Sequence, residues 1–342
     1  MRVAVDAMGG DYAPVEIVKG ALQAVEELGL AIDLVGDEKQ IYAELNKYHA
    51  GDLVRVIHAA EVIEMRDHPA VAVRRKKNSS IVKATQLVKD GAVKAVVSAG
   101  NTGASMTSAL LTLGRIKGID RPALAIVLPG ENGFTLLLDI GANVDCKPRN
   151  LLQFSIMGYL YARQILGVTN PRIGLLSNGE EETKGNEITL AAFPLLANAG
   201  FNFIGNVEGR DIYRGVADVL VCDGFVGNIV LKAGEGLAES LFKIMKEEIM
   251  RSITNWGNRR VTGAALQEMQ RRIEFAEYGG APLLGVNGVS VVCHGRSSAK
   301  AIKNAIRVAK EAVDNDLVNE IRESIMIAEK KEVDRTDAQG SA

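Results

Sequence analysis

With 342 residues, 47% hydrophobic and 24% charged, the chain can build a large buried core. It exceeds the size at which single cores stop growing, so one compact unit of two packed lobes is expected. Forty Lys and Arg against 42 Asp and Glu leave a net charge of -2, which gives nucleic acid no electrostatic footprint. Cys146, Cys222 and Cys293 are too widely spaced for a disulfide scaffold or a zinc site.

Short apolar runs alternate with helical patterns along the chain. Strands are expected at Arg2 to Asp6, Ala31 to Val35, Leu53 to Ile57, Ala92 to Val97, Leu124 to Leu128 and Phe134 to Asp139. Further strands are expected at Arg172 to Leu176, Phe201 to Ile204, Val219 to Cys222 and Val289 to Cys293. Helices with clear end signals lie between them, such as Pro14 through Leu28 before Gly29, and Ser79 through Lys89 before Gly91. Repeated βα units imply a largely parallel sheet covered by helices, with ligands bound beyond the carboxyl ends of the strands. A helical arm is expected over about 237-277, from Leu237 to Trp256 and Val261 to Phe275 around a polar turn. Residues 1-330 are thus expected to form one two-lobed unit, and 331-342 read as a polar, disordered tail. No apolar signal core and no membrane-spanning run is found, so the expected location is cytoplasmic.

The strand-end loops carry the candidate chemistry. Asp6-Ala7-Met8-Gly9-Gly10-Asp11 offers two glycines for close backbone approach and a carboxylate at the strand end. Ser98 through Ala104 places Asn101, Thr102 and Gly103 at a helix start, a cradle for an anion or a plain N-cap. It lacks the spacings of dinucleotide and P-loop motifs, so no nucleotide cofactor is expected. The loop from Asp139 through Pro148 gathers Asp139, Asn143, Asp145, Cys146 and Lys147; a packed thiol is favoured over a nucleophile at Cys146. Ser177 through Glu187 presents Lys184 among acidic neighbours, and no metal is assigned to its three glutamates. Cys222 through Asn228 brings an amide to another strand-to-helix junction, and His294, Arg296, Ser297 and Ser298 form a second anion cradle. Outside the loops, His49, His58 and His68 are read as surface or structural residues.

Taken in order, VAVDAMGGD (3-11), VSAGNTGA (97-104), DIGANVDCKP (139-148), SNGEEETKGNE (177-187), GNVEGRDI (205-212), DGFVGNIVLK (223-232), YGGAPLLG (278-285) and HGRSSAKAI (294-302) resemble the bacterial acyl-carrier-protein:phosphate acyltransferases of phospholipid synthesis. The resemblance covers all but the tail. It implies a three-layer α/β/α fold like that of isopropylmalate dehydrogenases and phosphate acetyltransferases, with a protruding helical arm, and a homodimer. The implied reaction moves a long-chain fatty acyl group from acyl-carrier protein to inorganic phosphate. Its acyl-phosphate product would pass to a membrane glycerol-3-phosphate acyltransferase.

No cofactor is implied, and Lys184 and Asn228 match positions of the family's catalytic residues. Phosphate is already an anionic nucleophile, which explains the lack of a serine or cysteine triad. Lys184 is therefore assigned to charge stabilisation and Asn228 to hydrogen bonding of carbonyl or phosphate, while the loops 101-104 and 295-298 hold phosphate. In the family the arm touches the membrane; here Trp256, Val261, Ala264, Ala265 and Leu266 form a stripe that fits peripheral membrane contact or dimer packing, and Arg74 to Lys77 read as a solvated helix end with docking of the acidic carrier as the alternative. Three readings stand as alternatives: an acyl-coenzyme A phosphate acetyltransferase, a decarboxylating dehydrogenase on the same fold, and a non-catalytic scaffold.

Overall fold

The computed structural model describes residues 1–48, 51–252, 262, 263, 266, 269 and 279–340, with backbone alone from 330. Eleven strands form one sheet: β1 (Arg2–Asp6), β2 (Ala31–Gly36), β3 (Val54–His58), β4 (Ala95–Ser98), β5 (Ala123–Gly130), β6 (Gly133–Leu138), β7 (Ile173–Ser177), β8 (Phe203–Glu208), β9 (Val219–Val221), β10 (Ala281–Leu284) and β11 (Val289–Val292). Their spatial order is β3-β2-β1-β4-β11-β10-β5-β6-β9-β7-β8. Strands such as β4 and β11 are buried at every residue, as expected where helices cover both faces.

One face carries α1 (Val15–Leu28), α6 (Pro148–Gln164), α7 (Glu187–Ala197), α9 (Ala299–Asp314) and α10 (Leu317–Gly340), which close the largest core around Phe154, Tyr161 and Ile306. The other carries α3 (Pro69–Arg75), α4 (Ser80–Lys89), α5 (Thr102–Thr112) and α8 (Gly224–Ser252) over two smaller cores. The arrangement is thus three-layered, as expected. A short helix, α2 (Glu38–Leu45), follows β2 with Asp37 as its N-cap.

The sheet's polarity sets the location of any site. β3, β2, β1, β4 and β11 are parallel, and so are β6, β9, β7 and β8. The three pairings between these halves, β11 with β10, β10 with β5 and β5 with β6, are all antiparallel. Three reversals leave the halves pointing in opposite directions, so their strands end at opposite edges. β10 was not foreseen: a short apolar run containing Pro282, it looks like a loop in sequence.

The arm also differs from expectation. Its helix α8 starts at Gly224 rather than near Leu237, so Asn228 and the arm share one rod of 29 residues. Asn255, Trp256, Val261, Ala264, Ala265 and most of the expected second helix lie outside the described residues, as does His49. Leu266 is described, and is buried. Helix α10 runs through Gly340, across the position where the polar tail was placed. Among the described residues no helix is long and apolar enough to cross a membrane.

Candidate active site

At the first edge the loops after β1, β4 and β11 are lashed together. The Asp11 amide donates to the Gly295 carbonyl at 2.7 Å, and the Cys293 amide to the Ser98 carbonyl at 2.8 Å. Gly10 has φ +109°, and a Cβ there would lie 3.0 Å from the Gly295 carbonyl, so glycine is required by both conformation and space. A Cβ at Gly9 would press on Asp6 Oδ2 at 2.6 Å and the Gly100 amide at 2.7 Å.

Asp6 is the floor of this group. Its carboxylate accepts from Ser98 Oγ at 2.7 Å and the Met8 amide at 3.2 Å, and it also bonds Ser80. Burial raises its pKa above the ordinary 3.8, while the Ser80, Ser98, Met8 and Gly9 donors oppose the shift.

Two helices begin here. Asn101 caps α5, its Oδ1 accepting from the Ala104 amide at 3.0 Å while its Nδ2 donates to the Glu64, Met65 and Asp67 carbonyls. Its side chain is therefore structural, and the Thr102 and Gly103 amides, which have no intrahelical acceptor, are what the turn offers a ligand. At the start of α4, Ser79 Oγ is buried without a partner among the described residues, as is Ser105 Oγ in the first turn of α5. The sequence reading missed Ser79, Ser80 and Ser105; paired serines ahead of a helical pattern were the available signal.

The cradle expected at the start of α9 is already occupied. The Ala299 amide donates to Glu16 Oε2 at 2.6 Å, and the Ala301 amide to Ser298 Oγ at 3.3 Å. The anion at this helix end is the protein's own carboxylate. Ser297 is buried, while His294 and Arg296 are exposed; His294 Nδ1 accepts from the Arg296 amide at 3.2 Å.

At the second edge lie the loops after β6, β7 and β9. Asp139 is fully buried and accepts from the amides of Leu124, Gly141, Ala142 and Asn143 and from Asn143 Nδ2. Burial pushes its carboxyl up against the pull of these donors. Asn143 Nδ2 also donates to the Pro122 carbonyl at 2.7 Å, so Asp139 and Asn143 shape the loop rather than face a ligand. Asp145 is exposed.

Asn228, on the first turns of α8, is exposed beside Gly141, where a Cβ would lie 3.7 Å from it. Lys184 is exposed on a turn closed by its own amide donating to the Glu181 carbonyl at 2.9 Å. Asn206 on β8 braces that turn, Nδ2 donating to the Glu181 carbonyl at 2.8 Å and the Lys184 carbonyl at 3.4 Å. Because β7 and β9 are neighbours, the Lys184 and Asn228 loops share this edge.

The two groups do not meet within one chain. β4 and β7 are six places apart in the sheet, about 29 Å at roughly 4.8 Å per spacing, so Lys184 is well out of reach of the α5 start. Lys184 and Asn228 thus stand at a different edge from the 101–104 and 295–298 loops assigned to phosphate.

Cys146 is pushed up to about 11 and Cys293 to about 12 by burial, and Cys222 well above its usual range. None is primed as a nucleophile, in line with the packed-thiol reading of Cys146. Among the described residues no three His, Cys, Asp or Glu are placed to hold a metal.

Residues 1–320 match the family described as Fatty acid synthesis protein. A phosphate acyltransferase from Pelotomaculum thermopropionicum is 67% identical over 331 residues, covering 97% of each chain. Among solved structures, a phosphotransacetylase from Streptococcus pyogenes superposes with TM-score 0.63 at 18% identity, covering 92% of this chain and 94% of that one. A 4-hydroxythreonine-4-phosphate dehydrogenase from Klebsiella pneumoniae gives TM-score 0.51 at 15% identity, covering 90% of this chain and 100% of that one. At such identities these two establish the fold alone.

Proposed function

Because the chain belongs to the fatty acid synthesis protein family of phosphate acyltransferases, we propose that it moves a long-chain acyl group from acyl-carrier protein to inorganic phosphate, releasing acyl-phosphate. The observation that carries the reading is the first edge. There α4 and α5 both start over buried Asp6, with two buried hydroxyls lacking partners among the described residues, a donor set suited to a tetrahedral oxyanion. Phosphate held there attacks the thioester carbonyl directly; the new C–O bond gives a tetrahedral oxyanion, whose collapse breaks the C–S bond and releases the carrier thiolate.

Lys184 and Asn228 then stabilise the oxyanion and the departing thiolate. Since they stand at the other edge, this role requires a homodimer in which one protomer's Lys184 and Asn228 face the other's phosphate loops. The protein would work in the cytoplasm, docking the acidic carrier through Arg74 to Lys77 and supplying a membrane glycerol-3-phosphate acyltransferase, with the arm as a peripheral membrane contact. Residues 1-330 act as the catalytic unit.

The test is thioester loss from long-chain acyl-carrier protein with and without phosphate, trapping the product with hydroxylamine. Phosphate-dependent hydroxamate is expected. Thioester loss that ignores phosphate, or that occurs only with acetyl-coenzyme A, overturns the proposal. Near-wild-type turnover in folded Lys184→Ala and Asn228→Ala variants would remove those two assignments.

A further inference from the structure

Beyond Gly234, Leu237, Ala238, Leu241, Phe242 and Met245 face a groove of about 450 Å³ whose other walls are Pro129, Gly130, Glu131, Tyr213 and Met269. That volume lies within the roughly 300–1,000 Å³ range of ligand pockets. Its lining is apolar apart from Glu131 and the Tyr213 hydroxyl, which is buried without a partner among the described residues. Leu237 and Leu241 stay 61% and 50% exposed, a cost that an apolar occupant would remove.

Position supplies the second argument. β5 runs parallel to β4 and β11, so Pro129 and Gly130 lie on the same sheet edge as the phosphate loops. From Gly234 to Met245 the groove follows α8 for about 16 Å at 1.5 Å per residue, long and narrow. That shape suits a flexible hydrocarbon chain.

We propose that this groove along α8 holds the fatty chain of the acyl donor and sets its length. The inference rests on the acyl transfer reading above. It predicts that each methylene that gains or loses a place in the groove changes kcat/KM roughly fourfold.

The experiment compares palmitoyl and octanoyl thioesters of the carrier protein on wild type, Ala238→Trp and Met245→Trp. The ratio of kcat/KM for palmitoyl over octanoyl should fall at least tenfold in Ala238→Trp, which fills the groove near the sheet. It should fall less in Met245→Trp, at the far end. Calorimetric titration with palmitate reads chain binding without turnover, and Ala238→Trp should weaken it. An unchanged ratio with unchanged palmitate binding overturns the proposal, whether or not oligomeric state or vesicle binding changes; a change in either would show that the groove takes a second copy or lipid. Absence of phosphate-dependent turnover in wild type would count against the acyl transfer reading, while palmitate binding would still report on the groove.

Discussion

Two inactive variants should restore activity to each other if phosphate and Lys184 meet only across a dimer. Thr102→Glu places a carboxylate on the exposed first residue of α5, where a negative charge suits the helix end but competes with phosphate for the same amides. Lys184→Ala removes the ammonium from its exposed turn. Six strand spacings, about 29 Å, separate the strands leading to the two positions, so neither variant damages the other's loop. Each homodimer lacks one component at both of its sites. A mixed dimer has one doubly damaged site and one intact site, and random pairing at equal ratio makes half the dimers mixed, so about a quarter of wild-type turnover should return. The assay is acyl-phosphate formation after joint refolding, with mixed dimers counted by differential tags. Mixed dimers that form but show no more activity than their parents would refute the shared site.

Three further outcomes are expected. Burial raises Asp6, so the folded state holds a proton that the unfolded chain loses above about 3.8, and Asp6 costs stability as pH rises from there toward its folded pKa. Asp6→Asn should therefore gain in melting temperature relative to wild type as pH rises from 4 to 7, and a pH-independent difference would contradict this. Gly227→Ala puts a methyl group into the Asp139 carbonyl oxygen; about 1–3 kcal/mol should be lost in urea unfolding, and turnover should fall as Asn228 moves. Iodoacetamide at pH 8 should leave the native enzyme active, because burial keeps Cys146, Cys222 and Cys293 protonated; rapid inactivation would show that one of them is reactive.

Much of the fold can be read along the chain because parallel strands buried on both faces are short apolar runs between capped helices. Strand β1 and the ends of α1 and α4 fall within a residue or so of expectation, the stops at Gly29 and Gly91 included. Polarity was not legible. It depends on β10, four residues long with Pro282 inside and glycines at 279, 280 and 285 around it, and local pattern assigns such a run to a loop. Losing that strand also hides the fact that the strand-end loops form two groups. At the loops themselves residue type was a weaker guide than hydrogen bonding. Asn101, Asp139 and Asn143 have the right chemistry for a ligand, but their side chains are used to build the turns.

The start of α8 shows why local rules fail where function concentrates. Gly224 opens the helix, and Gly227, Gly234 and Gly236 interrupt its pattern, each of these three costing about 0.8–1.0 kcal/mol relative to Ala in a helix interior. Propensity alone therefore begins the helix only after them. Yet a Cβ at Gly224 would stand 2.6 Å from the Asn143 carbonyl, at Gly227 it would overlap the Asp139 carbonyl, and at Gly234 the Tyr213 hydroxyl. The missing side chains allow the helix to lie directly on the loop after β6, which places Asn228 beside Gly141, and to carry its apolar stripe past Tyr213 into the groove. A sequence that sacrifices helix propensity at Gly227 and Gly234 does so for close approach, and such conflict between local preference and fold marks functional surface. On that argument α8 links the two parts of the reaction, with Asn228 at one end for the reacting carbonyl and the groove at the other for the chain of a second protomer's substrate.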